Sequence, residues 1–144
     1  GNNNNSLVVV RSLNSKSLRV KPGQLEISNC LGGQGKFARW NISSHGNNIY
    51  KLQSNHSNKY IRISPKGNGG EVDVRGTGGK YTQFRIHLIK DINVVMFESV
   101  VFPNKYLSAD NNGNVSVYNG FINGNQQCMF EVLTQGNNCN NNSI

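Results

Sequence analysis

One stretch of the sequence decides the fold, and it reads Val94-Val95-Met96-Phe97-Glu98-Ser99-Val100-Val101-Phe102-Pro103-Asn104-Lys105-Tyr106-Leu107-Ser108-Ala109. Apolar residues that favour β-strands lie on both sides of Pro103 and Asn104, which favour a turn. The stretch therefore predicts two short strands folded over a turn. Residues 49–63 and residues 8–20 repeat the same unit, so the chain is predicted to contain three copies of one structural element.

Four landmarks recur in the copies at nearly constant spacing. The first strand ends in a serine, and these serines are 42 and 45 residues apart at Ser12, Ser54 and Ser99. The second strand carries an aliphatic residue, with separations of 43 and 46 residues between Leu18, Ile61 and Leu107. A third strand is predicted at residues 24–27, 71–74 and 114–117. A fourth is predicted at residues 36–40, 83–86 and 129–132, with Phe37, Phe84 and Phe130 as its landmarks.

The repeats predict an all-β fold. Short alternating runs separated by Gly, Asn and Ser recur throughout the chain, and no window shows the apolar spacing of a helix. Self-similarity at about 45 residues is typical of repeat architectures. Twelve strands in three pseudo-symmetric four-stranded repeats make a β-trefoil. The first and fourth strands of each repeat form a six-stranded barrel, and the middle two form a hairpin cap that closes one end.

The predicted domain spans residues 7–135, with repeats at about residues 7–46, 47–92 and 93–135. Asn-rich tails are predicted at residues 1–6 and 136–144, because these segments contain little that could be buried. The alternation of side chains along strands predicts which residues face inward. The expected core consists of Leu18, Ile61, Leu107, Phe37, Phe84, Phe130, Leu25, Val72 and Val115.

The chain of 144 residues is basic, with 15 Lys and Arg against 7 Asp and Glu and a formal net charge of +8. A protein of this charge attracts acidic partners. The basic residues are scattered singly, so a solvated basic surface is the simplest interpretation. A groove for an acidic glycan is the alternative, and no nucleic acid is expected as a partner. No apolar run reaches the length of a membrane span.

The polar residues predict neither a catalytic site nor a cofactor site. None of the three histidines stands at a motif spacing from a nucleophile and a carboxylate. Paired carboxylates for acid–base chemistry are not indicated either, because the seven acidic residues are dispersed. We therefore expect a non-enzymatic protein, and a monomer.

Three cysteines, Cys30, Cys128 and Cys139, form no closed disulfide framework. Free thiols are expected, with one bridge and a spare thiol as the alternative. No Cys or His lies two to four residues from another, as zinc ligands commonly do, so no metal site is expected.

A longer motif lies within the opening stretch. Residues 97–108 place a Phe-x-Ser before a Pro and an aromatic-aliphatic-Ser, and this arrangement resembles the signature segment of the interleukin-1-like cytokines. Residues 10–18 are similar to the mature start of such a cytokine, and residues 84–93 fall in the matching register. Ala109 departs from the family pattern, which usually has Thr there. The resemblance implies a receptor ligand acting through surface loops, with Arg11 and Leu13 as partner-contacting residues.

Two other classes of trefoil protein share features with the chain. Residues 105–110, followed by Gly113-Asn114-Val115, are similar to segments of hisactophilin and fascin units and imply an actin-binding module. A carbohydrate-binding trefoil is the third alternative, although the Gln-x-Trp signature of ricin-type lectins is missing and Trp40 is expected in the core or at the barrel mouth. The sequence leaves both an extracellular and a cytoplasmic location open.

Overall fold

The structure is a computed structural model, and it describes residues 5–89, 93–120 and 125–135. Its twelve strands are β1 (Asn5–Ser12), β2 (Ser17–Lys21), β3 (Gln24–Gly32), β4 (Trp40–Ser44), β5 (Ile49–Ser54), β6 (Tyr60–Ser64), β7 (Glu71–Gly76), β8 (Phe84–Ile89), β9 (Val94–Ser99), β10 (Lys105–Ala109), β11 (Val115–Asn119) and β12 (Phe130–Thr134). Three single-turn 3₁₀ helices precede β4, β8 and β12. We name them the first, second and third 3₁₀ turns, at Lys36–Ala38, Lys80–Thr82 and Gln126–Cys128. Within the residues that the structure describes, no helix is long and apolar enough to cross a membrane.

Six strands close into a barrel. Antiparallel pairing runs from β1 to β4, β5, β8, β9, β12 and back to β1. The remaining strands form three hairpins, β2–β3, β6–β7 and β10–β11. The second strands of these hairpins, β3, β7 and β11, contact one another at one end of the barrel. This arrangement confirms the predicted β-trefoil, with the first and fourth strands of each repeat in the barrel.

The recurring serines have a structural role at the ends of β1, β5 and β9. Each is buried, and its hydroxyl oxygen accepts backbone N–H groups of the loop that follows. The Ser12 hydroxyl accepts from Asn14 at 3.0 Å, and the Ser54 hydroxyl accepts from Ser57 at 3.1 Å. A serine at a strand end satisfies loop amides that no strand can pair, which explains why this residue recurs.

The core matches the prediction except at one position. Leu18, Ile61 and Leu107 are buried, and so are Phe84 and Phe130, while Leu25, Val72 and Val115 pack partly buried against them. Phe37 also packs partly buried against the core, but it lies in the first 3₁₀ turn and not at the position equivalent to Phe84 and Phe130, so the predicted equivalence is wrong. Trp40 takes the equivalent position as the fully buried first residue of β4, and its Nε1 donates to the Leu18 carbonyl oxygen at 2.9 Å.

A glycine motif explains why Phe37 was misaligned. Residues 32–36 and residues 76–80 both begin with Gly and end in Gly-Lys, and an aromatic residue follows each. This motif pairs Phe37 with Tyr81 and Trp40 with Phe84, which are 44 residues apart. An alignment of the phenylalanines shifts the first repeat by three residues. For this reason the predicted fourth strand spans 36–40, whereas β4 begins at Trp40.

The domain starts slightly earlier than expected. β1 begins at Asn5, two residues before the predicted boundary at residue 7, because Asn5 and Ser6 pair with Ser43 and Ile42 of β4. Residues 1–4 and 136–144 of the predicted tails lie outside the described residues.

Candidate functional site

Arg11, the first predicted partner-contacting residue, lies on β1 opposite Glu131 of β12. Its Nε donates to Glu131 Oε1 at 2.9 Å, and the guanidinium forms an ion pair with the same carboxylate. About half of the Arg11 side chain, 52%, is exposed. The residue is therefore accessible, but its charge is already matched within the barrel wall.

Leu13, the second predicted contact, lies in the loop between β1 and β2 and is half-buried. Its backbone is fixed to the third 3₁₀ turn and the residue after it. The Leu13 N–H donates to the Met129 carbonyl oxygen at 3.1 Å, and the Leu13 carbonyl accepts from Gln126 Nε2 at 3.2 Å. The two predicted residues thus flank Ser12 on a rigid segment rather than on a free loop.

A wide concave surface lies elsewhere, between the β2–β3 and β6–β7 hairpins. We name this groove of about 1070 Å³ the cap groove, and its principal lining residues are Leu25, Glu26, Ile27, Arg62, Lys66, Glu71, Val72, Asp73 and Arg75. It exists because the hairpins of the first two repeats meet over one end of the barrel. The repeat pattern predicted the hairpins, but not the depth of the groove between them.

Three ion pairs line the cap groove. Arg62 binds Asp73 through two hydrogen bonds of 2.8 and 3.2 Å, and this pair is mostly buried. Arg75 of β7 reaches Glu26 of β3 at 3.1 Å and so connects the two hairpins, while Lys66 lies 3.8 Å from Glu71. Three cations face three carboxylates, so the cap groove is neutral in a protein of charge +8.

Apolar side chains line the cap groove beside these charges. Ile27 is 46% exposed, and Leu25 and Val72 pack partly buried against the core. An apolar centre surrounded by polar groups is the typical anatomy of a protein interface. The alternation of charge and aliphatic residues along β3 and β7 was the sequence signal for this surface.

Each 3₁₀ turn packs against the first loop of the next repeat. The Asn55 N–H donates to the Arg39 carbonyl oxygen at 2.9 Å, and Val100 and Leu13 make the equivalent bonds to Gln83 and Met129. We name these contacts the first, second and third junctions. The first contains Phe37 against His56, with ring centroids 4.8 Å apart, and the second contains Tyr81 stacked on Phe102 at 5.9 Å. The third has Gln126 and Gln127 instead of aromatic residues.

Lysines lie over the aromatic rings of the first two junctions. Lys36 Nζ is 5.3 Å from the Phe37 centroid, and Lys80 Nζ is 5.3 Å from the Tyr81 centroid. A third lysine, Lys105, lies 5.7 Å from the Phe102 ring, and its ammonium donates to the Asn68 carbonyl at 2.8 Å. The repeat therefore reproduces a cation–aromatic pair on the surface as well as a hydrophobic core.

The cysteines described by the structure are free and buried. Burial, with a smaller contribution from the Asp110 charge, raises the pKa of Cys30 to about 12, and burial raises the pKa of Cys128 to about 11. Both are therefore neutral thiols at physiological pH, and a neutral thiol is a poor nucleophile. Cys139 lies outside the described residues.

Two histidines lie within hydrogen-bonding distance of a side chain that could take part in acid–base catalysis. Ser43 Oγ lies 3.0 Å from His45 Nε2, and His87 Nε2 lies 2.7 Å from Glu98 Oε1. Burial and the Lys51 charge lower the pKa of His45. Neither pair completes a nucleophile–base–acid triad among the described residues, and no group of three metal-ligating side chains converges within them.

Trp40 is the only tryptophan of the chain, and its side chain is completely buried. It is therefore not available as a stacking platform for a sugar ring. This observation fits the expectation that Trp40 belongs to the core.

Comparison with known proteins supports the architecture. No family model matches the sequence, and no curated protein matches it either. Among solved structures, the chain is similar to the designed three-fold symmetric protein ThreeFoil, with a TM-score of 0.72 and 17% sequence identity. The match covers 88% of this chain and 97% of ThreeFoil. Similarity at this level of identity concerns the fold alone, and by its strand pairing and this match the chain is a β-trefoil.

Proposed function

We propose that the protein is a non-enzymatic β-trefoil that binds another protein, and that the cap groove is its principal contact surface. The observation that carries the proposal is the exposed Ile27 in a groove whose charged side chains are paired with one another. Apolar contacts at the centre of such a surface supply most of the binding energy, while the charged rim selects the partner.

An exposed ion pair of the cap groove can be replaced by an ion pair with a partner protein. Arg75 and Glu26 are each 59% exposed, and an exposed pair contributes little to stability. A partner can therefore replace one member with its own charge at small cost. The Arg62–Asp73 pair is more buried and supports the groove instead.

Substitution of Ile27 tests this surface. Partners are first captured from cell-surface and cytoskeletal extracts, identified, and then measured individually against purified protein. We expect Ile27→Asp to weaken binding at least about tenfold, because it places a charge at the apolar centre. Leu88→Asp is the matched control, since Leu88 of β8 is 70% exposed and does not line the cap groove. Equal affinity of wild type and Ile27→Asp for every partner would exclude the cap groove.

The cytokine resemblance adds a second contact to the proposal: the partner is a cell-surface receptor, and Arg11 and Leu13, which do not line the cap groove, also contact it. Arg11→Ala is then expected to weaken receptor binding about threefold to tenfold without unfolding the protein. Glu131→Gln is an informative companion, because it removes the carboxylate partner of Arg11 and leaves the guanidinium in place. Weaker binding by Glu131→Gln together with unchanged binding by Arg11→Ala would argue against the receptor contact.

An actin-associated module is the second candidate, favoured by the excess of basic residues over carboxylates. Acidic filaments attract such a surface through interactions that salt screens. Co-sedimentation with actin filaments at low salt, abolished at high salt, is the expected result. Failure to co-sediment at low salt removes this candidate.

A further inference from the structure

The net positive charge of the chain comes from its first half. Residues 1–70 contain ten Lys and Arg and one carboxylate, Glu26, whereas residues 71–144 contain five Lys and Arg and six carboxylates. The halves therefore carry formal charges of +9 and −1, which together give the +8 of the whole chain. Such an asymmetry indicates a surface for an acidic partner more strongly than the net charge does.

Folding does not cancel this asymmetry. Among the described residues, carboxylates from the second half pair with three cations of the first half, namely Arg11, Arg62 and Lys66. The other seven make no ion pair with a carboxylate among the described residues, and they are Lys16, Arg19, Lys21, Lys36, Arg39, Lys51 and Lys59.

Several of these cations are brought together at the first junction. Arg19 of β2 and Phe37 of the first 3₁₀ turn line one small hollow of about 90 Å³, whose other walls include Gly32, Gly33 and Gly35. Lys36 lies over the Phe37 ring, which contacts His56. We name the surface formed by Arg19, Lys36, Arg39 and His56 the basic face; Lys59 follows on the same loop as His56.

The two arginines of the basic face are held in place without being neutralised. Arg19 Nε donates to the side-chain oxygen of Asn29 at 2.9 Å, and Arg39 Nε donates to the Gln34 carbonyl at 3.0 Å. Both acceptors are uncharged, and the terminal nitrogens of both guanidinium groups donate to nothing within the described ranges. Arginines oriented in this way are preorganised to bind sulfate or carboxylate oxygens.

We propose that the basic face binds an acidic polysaccharide, with the two guanidinium groups and the Lys36 ammonium contacting anionic groups on the chain. The surface is shallow, spans two repeats and is bordered by glycine backbone, which suits an extended polymer. A single-stranded nucleic acid would need exposed rings for base stacking, and here Phe37 is half-buried against His56 and Trp40 is buried. An anionic membrane would need exposed large apolar side chains, and the basic face has none.

Charge substitutions in two repeats test the proposal. Dextran sulfate is the probe, and binding is measured by calorimetry at about 0.1 M salt. We expect Lys36→Gln with Arg39→Gln to lower the affinity about tenfold. The control, Lys80→Gln with Arg85→Gln, removes the same charge, and Lys80 is related to Lys36 by the repeat. It is expected to lower the affinity by less than about threefold, and unsulfated dextran is expected not to bind.

A footprint on the unmodified protein makes the test independent of the variants. Dextran sulfate is expected to protect Lys36 from acetylation and to leave Lys80 as reactive as in the free protein. The proposal is overturned if both double variants lose affinity equally, since binding would then follow total charge. Tighter binding to duplex DNA or to phosphatidylserine vesicles than to dextran sulfate would also overturn it. The cap groove shares no residue with the basic face, so the two proposals fail separately.

Discussion

At the scale of single residues, Trp40 fills the position that Phe84 and Phe130 occupy in the other two repeats. The indole can be buried because its one polar atom, Nε1, donates a hydrogen bond to the Leu18 carbonyl oxygen at 2.9 Å. Burial therefore leaves no unpaired donor on this ring. The two phenylalanines have no such atom to satisfy, and each contacts Phe97 edge to face.

This assignment predicts unequal costs for two phenylalanine substitutions. Phe84→Ala is expected to lower the free energy of unfolding by about 3–5 kcal/mol, because it empties a fully buried position. Phe37→Ala is expected to cost about 1 kcal/mol, because the Phe37 ring is only partly buried against the core. Urea unfolding of both variants measures the difference. Equal losses would contradict the lesser burial of Phe37.

Cys30 gives a prediction for pH dependence. Its folded pKa of about 12 exceeds the value of 9.0 expected in the unfolded chain, so the folded state retains a proton that the unfolded state releases. The resulting stabilisation is complete below pH 9.0 and is lost as the pH rises toward 12. The stability advantage of wild type over Cys30→Ala should therefore shrink by about 1.4 kcal/mol per pH unit in that window. Urea unfolding at several alkaline pH values measures the gap, and a constant gap would contradict the prediction.

At the scale of elements, the junctions hold the repeats together. In the second junction Tyr81 stacks on Phe102, and the Phe102 ring also lies against Gly69. A Cβ atom at Gly69 would stand 2.7 Å from Phe102 Cγ, and the residue has a φ of +82°, so glycine is required there. The β6–β7 turn, the second 3₁₀ turn and the β9–β10 loop thus share one aromatic ring.

A double-mutant cycle measures this junction. Tyr81→Leu and Phe102→Leu are expected to show a coupling of about 0.5–1.5 kcal/mol, the usual range for a stacked aromatic pair. Phe37→Leu combined with Phe102→Leu serves as the control, because the two rings belong to different junctions and should act additively. A coupling near zero between Tyr81 and Phe102 would mean that the stack contributes only buried area.

At the scale of the whole molecule, the barrel is closed by pairing of the first strand with the last. Val8 to Ser12 of β1 lie opposite Thr134 to Phe130 of β12. The unmatched cations of repeat 1 share one third of this closed domain, so their charges repel one another.

Salt is therefore expected to stabilise the protein. Raising the salt from low to physiological concentration should increase the free energy of unfolding by roughly 0.5 kcal/mol, because it screens this repulsion. The Lys36→Gln, Arg39→Gln variant should respond less to salt than the Lys80→Gln, Arg85→Gln variant. Thermal unfolding over a salt series measures both responses, and identical behaviour of the two variants would contradict a concentrated charge.

The sequence by itself determined the strands, their period and the closed trefoil, because alternation of side chains and turn residues are local properties that repeat three times. Tertiary structure alone decided which residues meet across the fold. Arg11 is paired with Glu131, and Arg75 reaches Glu26 over the cap groove, through contacts that no spacing along the chain indicates. For the same reason Trp40, and not Phe37, occupies the position equivalent to Phe84 and Phe130. Burial depends on where the barrel closes, and not on the identity of the aromatic residue.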